Sequence, residues 1–132
     1  MARDDRRRAA ERAVLKELRA REPIFHRPGH YASRALREAA LDAGFWEVGA
    51  SGRRYSRAYV LRMLAARLAA GAEDRWRAHG FRCRELARGL YLLTYTLEQG
   101  ERCTRRSTLW QRHAGAWRIL YHQGTLVTET KE

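Results

Sequence analysis

Two different spacings of apolar residues divide the chain. Up to residue 71, apolar residues recur every three to four positions, and from residue 75 onward they alternate with polar ones. The first spacing is typical of helices that bury one face, and the second is typical of strands with one buried face. Helices first and strands last predict an α+β domain.

Three helices are predicted in the first part of the chain. They lie in the stretches DRRRAAERAVLKELRAREP, YASRALREAALDAG and SRAYVLRMLAARLAAG. Pro23 stops the first helix and Gly44 is expected to close the second. Ser56 is a plausible N-cap for the third, which Gly71 ends.

One short strand, FWEVG, is predicted between the second and third helices, followed by a turn in GASGRR. Four strands then follow in order, in WRAHGFRCREL, GLYLLTYTLEQG, RCTRRSTLWQRH and AWRILYHQGTLVT. Consecutive strands of this kind pair antiparallel. The pattern predicts one domain over residues 1–132, a curved, barrel-like antiparallel sheet with three helices around a pocket at its open end.

The net charge of +12 comes almost entirely from arginines that are spread along the whole chain. Because they form no single stripe, we interpret them as a solvated basic surface and expect no nucleic-acid partner. No apolar run approaches the roughly 20 residues that a membrane span needs, and the charged start lacks a signal peptide. A cytoplasmic protein without a membrane partner is predicted. The two cysteines lack metal-site spacing. His26 and His30 form H-x-x-x-H, but the Pro and Gly of HRPGH break the helix that such a pair needs, so no metal is expected.

The chain resembles the nuclear transport factor 2-like superfamily of cone-shaped α+β proteins in four stretches: FWEVGASGRRYSR, YLLTYTL, RRSTLW and WRILYHQGT. The resemblance covers about residues 11–128 and is strongest to a bacterial branch of unknown function. The superfamily includes ketosteroid isomerase, SnoaL-like polyketide cyclases, limonene epoxide hydrolase and scytalone dehydratase. It implies a pocket, but the same scaffold also serves ligand carriers and interaction modules.

Glu47 lies within the otherwise apolar FWEVG strand, on the same face as Phe45. The resemblance places a catalytic carboxylate of ketosteroid isomerase at an equivalent position. The first helix lacks that isomerase's tyrosine and the later strands lack its second acid, so steroid isomerisation is not predicted. Glu47 is either a general base whose pKa is raised by burial, or the buried partner of Arg53 or Arg106.

The remaining candidate site residues lie on or near the strands. Arg106 shares a strand face with Trp110 and can hold a carboxylate of the protein or of a ligand. His122, sharing a face with Leu120 and Gly124, is a candidate proton shuttle or ligand donor. Contacts with a ligand are also predicted for Phe45, Tyr55 at the pocket mouth, Tyr95 and Trp110.

The sequence therefore predicts binding of a small organic molecule. A further hypothesis is that the protein transforms this molecule by acid–base chemistry of the isomerase, cyclase or hydratase type, without a cofactor. The alternatives are a non-catalytic interaction or regulatory module and, second, nucleic-acid binding through the basic surface. Apolar residues on both faces of the strands, such as Leu109 and Trp110, predict a homodimer through the sheet.

Overall fold

The computed structural model describes residues 2–71 and 75–128 of the chain. Residues 1, 72–74 and 129–132 of the predicted domain lie outside the described residues. The described part contains three α-helices, α1 (Ala2–Arg19), α2 (Arg34–Ala40) and α3 (Arg57–Ala70). Its six strands are β1 (Leu41–Val48), β2 (Arg54–Ser56), β3 (Arg77–Ala87), β4 (Leu90–Gln99), β5 (Arg102–His113) and β6 (Ala116–Leu126).

Side-chain and glycine caps fix the ends of α2 and α3. The Ser33 hydroxyl accepts a hydrogen bond from the backbone N–H of Leu36, and the Ser56 hydroxyl accepts one from that of Tyr59, both at 3.1 Å. Gly71 follows α3 with a φ of 59°, a left-handed conformation that side chains with a Cβ disfavour. The predicted limits of the third helix are confirmed.

The boundary between α2 and β1 differs from the prediction. The helix ends at Ala40 rather than at Gly44, and the strand already begins at Leu41. Leu41 is 2% exposed and pairs with Ile119 of β6, so tertiary burial outweighs the helical preference of the local sequence. The strand is therefore eight residues long, and an irregular segment that includes Asp42 and Gly44 precedes the regular pairing of Trp46.

The strands form a single curved, unclosed sheet in the order β2-β1-β6-β5-β4-β3. Strands β3 to β6 pair antiparallel in sequence order, as predicted. Strand β1 instead runs parallel to β6, and β2 is a short strand where the sequence predicts only a turn. The α+β class and the curved sheet with three helices are confirmed, with this one parallel pair as the exception to an antiparallel sheet.

A β-bulge in β6 changes which residues face the core. Leu109 of β5 pairs with Tyr121, but the next residue, Trp110, pairs with Ile119. The unpaired Leu120 is therefore an extra residue, and the buried positions pass from Ile119 to His122. The expectation that Leu120 and His122 share a buried face is wrong for this reason.

The core lies between the helices and one face of the sheet. It joins Val14 and Leu18 of α1 and Val60 and Leu64 of α3 to a set of buried strand residues: Leu41, Phe45, Tyr91, Leu93, Tyr95, Leu97, Trp110, Trp117 and Ile119. Burying side chains of this size is the main source of stability in a domain of this length. No helix in the described part of the chain is both long and apolar enough to cross a membrane.

Candidate functional site

One row of side chains starts at the β2 edge of the sheet and crosses five of its six strands. The strand pairing places Tyr55, Glu47, His122, Thr108 and Leu93 side by side, on β2, β1, β6, β5 and β4. Adjacent strands are about 4.8 Å apart, so each residue neighbours the next. Burial increases along the row, from partly exposed at Tyr55 and Glu47 to fully buried at Thr108 and Leu93.

A cavity of about 380 Å³ lies over the partly exposed end of this row. That volume is within the range of ligand sites for small molecules. The cavity is formed by β1 and the turn after it, β2, α3, β5, β6 and the segment before α2. Its lining residues are Phe25, Glu47, Val48, Gly49, Ala50, Ser51, Tyr55, Tyr59, Val60, Met63, Arg102, Arg106, His122 and Gly124.

Glu47 opens onto the cavity and forms no ion pair with any residue that the structure describes. Of the two arginines that the sequence offers as partners, Arg53 lies over the Tyr55 ring and Arg106 donates to Thr104. Within the described residues, neither arginine forms a salt bridge with Glu47. Burial raises the pKa of Glu47 to about 7, against the lowering effect of the positive charge of Arg106. A carboxylate with such a pKa exchanges a proton readily near neutral pH.

Arg106 is held flat against the sheet on the cavity side. Its Nε donates to the hydroxyl of the fully buried Thr104 at 3.1 Å. It crosses Gly124 of the neighbouring strand, where a Cβ would lie 3.9 Å from Nε. The terminal nitrogens of Arg106 have no hydrogen-bond or salt-bridge partner among the described residues. The guanidinium therefore presents two unused donor groups to the cavity.

Glu22 is the residue of this region that sequence reasoning missed. It follows α1, is 1% exposed, and accepts three hydrogen bonds beneath the cavity. Trp110 Nε1 donates to Oε2 at 2.6 Å, while the hydroxyls of Tyr95 and Thr108 donate to Oε1 at 2.8 and 2.9 Å. Burial raises the pKa of Glu22, although the three donors oppose that rise. Nothing in the local sequence distinguishes Glu22 from the chain's other acids, because its donors come from strands about 70 or more residues away.

His122 joins this buried group to the cavity. Its Nδ1 is 2.7 Å from Thr108 Oγ1 and 3.9 Å from Glu22 Oε1, and its ring also lines the cavity. Burial and the charge of Arg106 lower the pKa of His122 to about 3, so the ring is neutral at neutral pH. Because Thr108 has one hydroxyl hydrogen, donation to an ionised Glu22 requires Nδ1–H to donate to Thr108, which leaves Nε2 as an acceptor. A proton on Oε1 of Glu22 that is donated to Thr108 would reverse both bonds and make Nε2 a donor.

The structure divides the predicted site residues into two groups. Glu47, Tyr55, Arg106 and His122 line the same cavity. The other three, Phe45, Tyr95 and Trp110, are buried in the core and do not belong to that lining. Two of these, Tyr95 and Trp110, donate hydrogen bonds to the Glu22 carboxylate.

Two further cavity residues were also missed. Arg102 shares its strand face with Arg106 by simple alternation, which the sequence could have indicated. Tyr59 stacks on Tyr55 with ring centroids 4.9 Å apart. It belongs to α3, whose approach to the sheet the sequence does not specify.

Comparisons with solved structures identify the fold. A nuclear transport factor 2-like protein from Cytophaga hutchinsonii superposes with a TM-score of 0.66 and 13% identity, over 89% of this chain and 98% of the other. The chain has a nuclear transport factor 2-like fold. An uncharacterised protein with a cystatin-like fold from Caulobacter vibrioides gives a TM-score of 0.65 and 16% identity, over 91% and 89% of the two chains.

A third similar structure is an enzyme. The hexachlorocyclohexane dehydrochlorinase LinA, type 2, superposes with a TM-score of 0.64 and 12% identity, over 94% of this chain and 90% of the other. At these identities the likeness concerns the fold alone. The sequence matches no protein-family model, and no curated protein is significantly similar to it in sequence.

Proposed function

We propose that this protein binds a small organic molecule in the cavity and transforms it by cofactor-independent acid–base chemistry, with Glu47 as the group that accepts the proton. The observation that carries the proposal is a carboxylate that opens onto a cavity, has no ion pair in the described structure, and has a pKa of about 7. A structural ion pair has the opposite character, because an arginine in contact lowers a carboxylate's pKa.

The surrounding groups have complementary roles in this proposal. A C–H proton of the ligand passes to a Glu47 oxygen, and the electron pair moves into the ligand, as an enolate or towards a leaving group. The guanidinium of Arg106 stabilises the negative charge that develops. His122, neutral and held by Thr108, offers Nε2 as a hydrogen-bond partner on the neighbouring strand. Tyr55 and Tyr59 form an aromatic wall.

The reaction class is isomerisation, cyclisation, hydration or elimination, since each includes proton transfer at carbon. Elimination is included because one similar structure is a dehydrochlorinase, and loss of HCl involves proton abstraction. An interaction module of this fold is favoured less, because the end of the sheet encloses a cavity that side chains leave open.

Exchange of carbon-bound hydrogen tests the proposal without knowledge of the substrate. Small ketones are incubated with the protein in D₂O, and NMR follows deuterium incorporation next to the carbonyl. We expect exchange above the buffer rate that Glu47→Gln abolishes, while Glu101→Gln, an exposed residue in the β4–β5 turn, leaves it unchanged. Equal exchange by the wild type and Glu47→Gln would refute the role of Glu47.

A homodimer through the outer sheet face is part of the proposal. Trp46 is 49% exposed and contacts Tyr121, with ring centroids 4.7 Å apart. Leu109 and Leu92 continue this apolar row across β5 and β4. A second copy of the chain would cover the row. Light scattering at micromolar concentration is expected to give the dimer mass, and Trp46→Glu to give the monomer; a monomeric wild type contradicts it.

A further inference from the structure

The described lining of the cavity has more positive than negative charge. Among the described lining residues, Arg102 and Arg106 each carry a positive guanidinium, His122 is neutral at neutral pH, and Glu47 carries at most one negative charge. The described part of the lining is therefore net positive. A positive charge in a concave, partly dry site attracts an anion, because the low-dielectric walls screen that charge less than bulk water would.

The two arginines differ in position. Arg102 is exposed at the start of β5, whereas Arg106 is partly buried beside His122 and Gly124. Since Nε of Arg106 is used by Thr104, its two terminal nitrogens remain, and together they match the two oxygens of a carboxylate. Arg106 has the geometry of an anchor, and Arg102 lies where it can attract an anion to the rim.

An apolar surface faces this anchor. Tyr55 and Tyr59 are stacked with their planes 20° apart, and both line the cavity together with Val60 and Met63. The close approach of Tyr55 to the β1–β2 turn depends on Gly49, where a Cβ would lie 2.8 Å from Cε2 of the tyrosine ring. A flat or apolar body fits such a wall, while a fully hydrated polar molecule does not.

We infer that the ligand of this cavity is a small organic acid whose carboxylate binds the terminal nitrogens of Arg106 and whose apolar body lies against Tyr55 and Tyr59. This inference rests on the proposed function, because it concerns the same cavity and names its substrate class. It places the ligand's carbon skeleton between Arg106 and the Glu47 carboxylate, where a proton next to an acidic or carbonyl group can be removed.

Benzoate and benzamide are matched probes for this inference. They have the same ring and nearly the same shape, but only benzoate is an anion. Backbone amide NMR shifts of Glu47, His122 and Gly124 report binding in the cavity. We expect benzoate to bind wild-type protein at least about tenfold more tightly than benzamide, as a charge-assisted bidentate contact provides.

Three substitutions at two adjacent residues of β5 distinguish binding in the cavity from binding to the basic surface. Arg106→Gln is expected to reduce benzoate binding to the level of benzamide, and Arg106→Lys to retain part of it. Arg105→Gln removes the same charge from an exposed side chain that contacts Thr96 instead, and is expected to change little. If Arg106→Gln does not fold, Arg106→Lys and the comparison of benzoate with benzamide on the wild type still test the inference.

Three results overturn the inference: equal affinity for benzoate and benzamide, benzoate binding that Arg106→Gln and Arg106→Lys leave unchanged, and no binding of either probe in the cavity. None of them contradicts the proposed function, which depends on the exchange of neutral ketones and on Glu47. Absence of exchange above the buffer rate in the wild type, with benzoate binding intact, would instead refute the acid–base role and leave an anion-binding protein.

Discussion

Replacement of Glu47 by glutamine is expected to stabilise the protein at alkaline pH. The pKa of Glu47 is raised from 4.5 to about 7 in the folded protein. Between these values the unfolded chain has lost the proton and the folded chain keeps it, so the free energy of unfolding falls as pH rises through this window. Glutamine stays neutral at every pH and resembles the protonated acid, so the variant lacks this loss.

The magnitude follows from the same interval. At about 1.36 kcal/mol per pH unit, the interval from 4.5 to about 7 corresponds to an upper limit of about 3 kcal/mol. Solvent in the cavity screens a partly exposed carboxylate, so we expect about 1–2 kcal/mol in practice. Glu47→Gln should match the wild type at pH 4 and exceed it by this amount at pH 8.

Urea denaturation at both pH values measures the difference directly. The matched control is Glu101→Gln, which removes the same charge from an exposed turn and is expected to change stability equally at both pH values. A Glu47→Gln variant that is less stable than wild type at pH 8 would refute the reasoning. It would show that the ionised carboxylate has a stabilising partner, which is the ion-pair alternative left open by the sequence.

The remaining predictions concern the groups around Glu47. Glu22→Ala leaves three buried donors without an acceptor and is expected to cost at least about 3 kcal/mol in urea denaturation; a cost below about 1 kcal/mol contradicts the network. Thr108→Val is expected to change the ¹⁵N shift of Nδ1 in His122, since that nitrogen loses its partner, and an unchanged spectrum excludes the contact. The pKa of His122 is about 3 in the folded protein and 6.5 in the unfolded chain, so stability falls as pH drops between these values. His122→Gln is expected to reduce this loss of stability, measured as melting temperature against pH. Gly49→Ala is expected to displace the tyrosine ring of β2 and lower the melting temperature, whereas Gly29→Ala, with no atom within 4 Å of the added Cβ, is expected to be neutral.

The fold could be predicted largely because its signals are local. Alternation identifies the strands from residue 75 onward, and the caps at Ser56 and Gly71 act within one helical turn. The errors arise where contacts between residues far apart in the sequence determine the local structure. Leu41 joins a strand because Ile119 pairs with it, and Leu120 leaves the core face because a bulge in β6 inserts an extra residue. Neither contact has a signature within the sequence around those residues.

The candidate site was predictable only in part, for a related reason. Strand alternation places Glu47 and Arg106 on the buried face and indicates that a carboxylate and a guanidinium are near each other. It does not indicate that Arg106 is turned towards Thr104 rather than towards Glu47, which depends on Gly124 of the next strand. Glu22 lies outside any helix or strand, so no spacing of apolar residues indicates that its side chain is buried.

The two acids of this region, the buried Glu22 and the partly exposed Glu47, have opposite environments, and that contrast supports different roles for them. Glu22 accepts three hydrogen bonds in the core, so a change in its protonation alters a network that extends through Thr108 to His122. Glu47 has no hydrogen-bond or ion-pair partner in the described structure, so its proton can come and go without rearranging any neighbour. A group that must exchange a proton with a bound molecule in each reaction cycle needs the second environment. In the proposed function, Glu22 therefore has a positioning role behind His122, and Glu47 is the group that accepts the proton from the ligand.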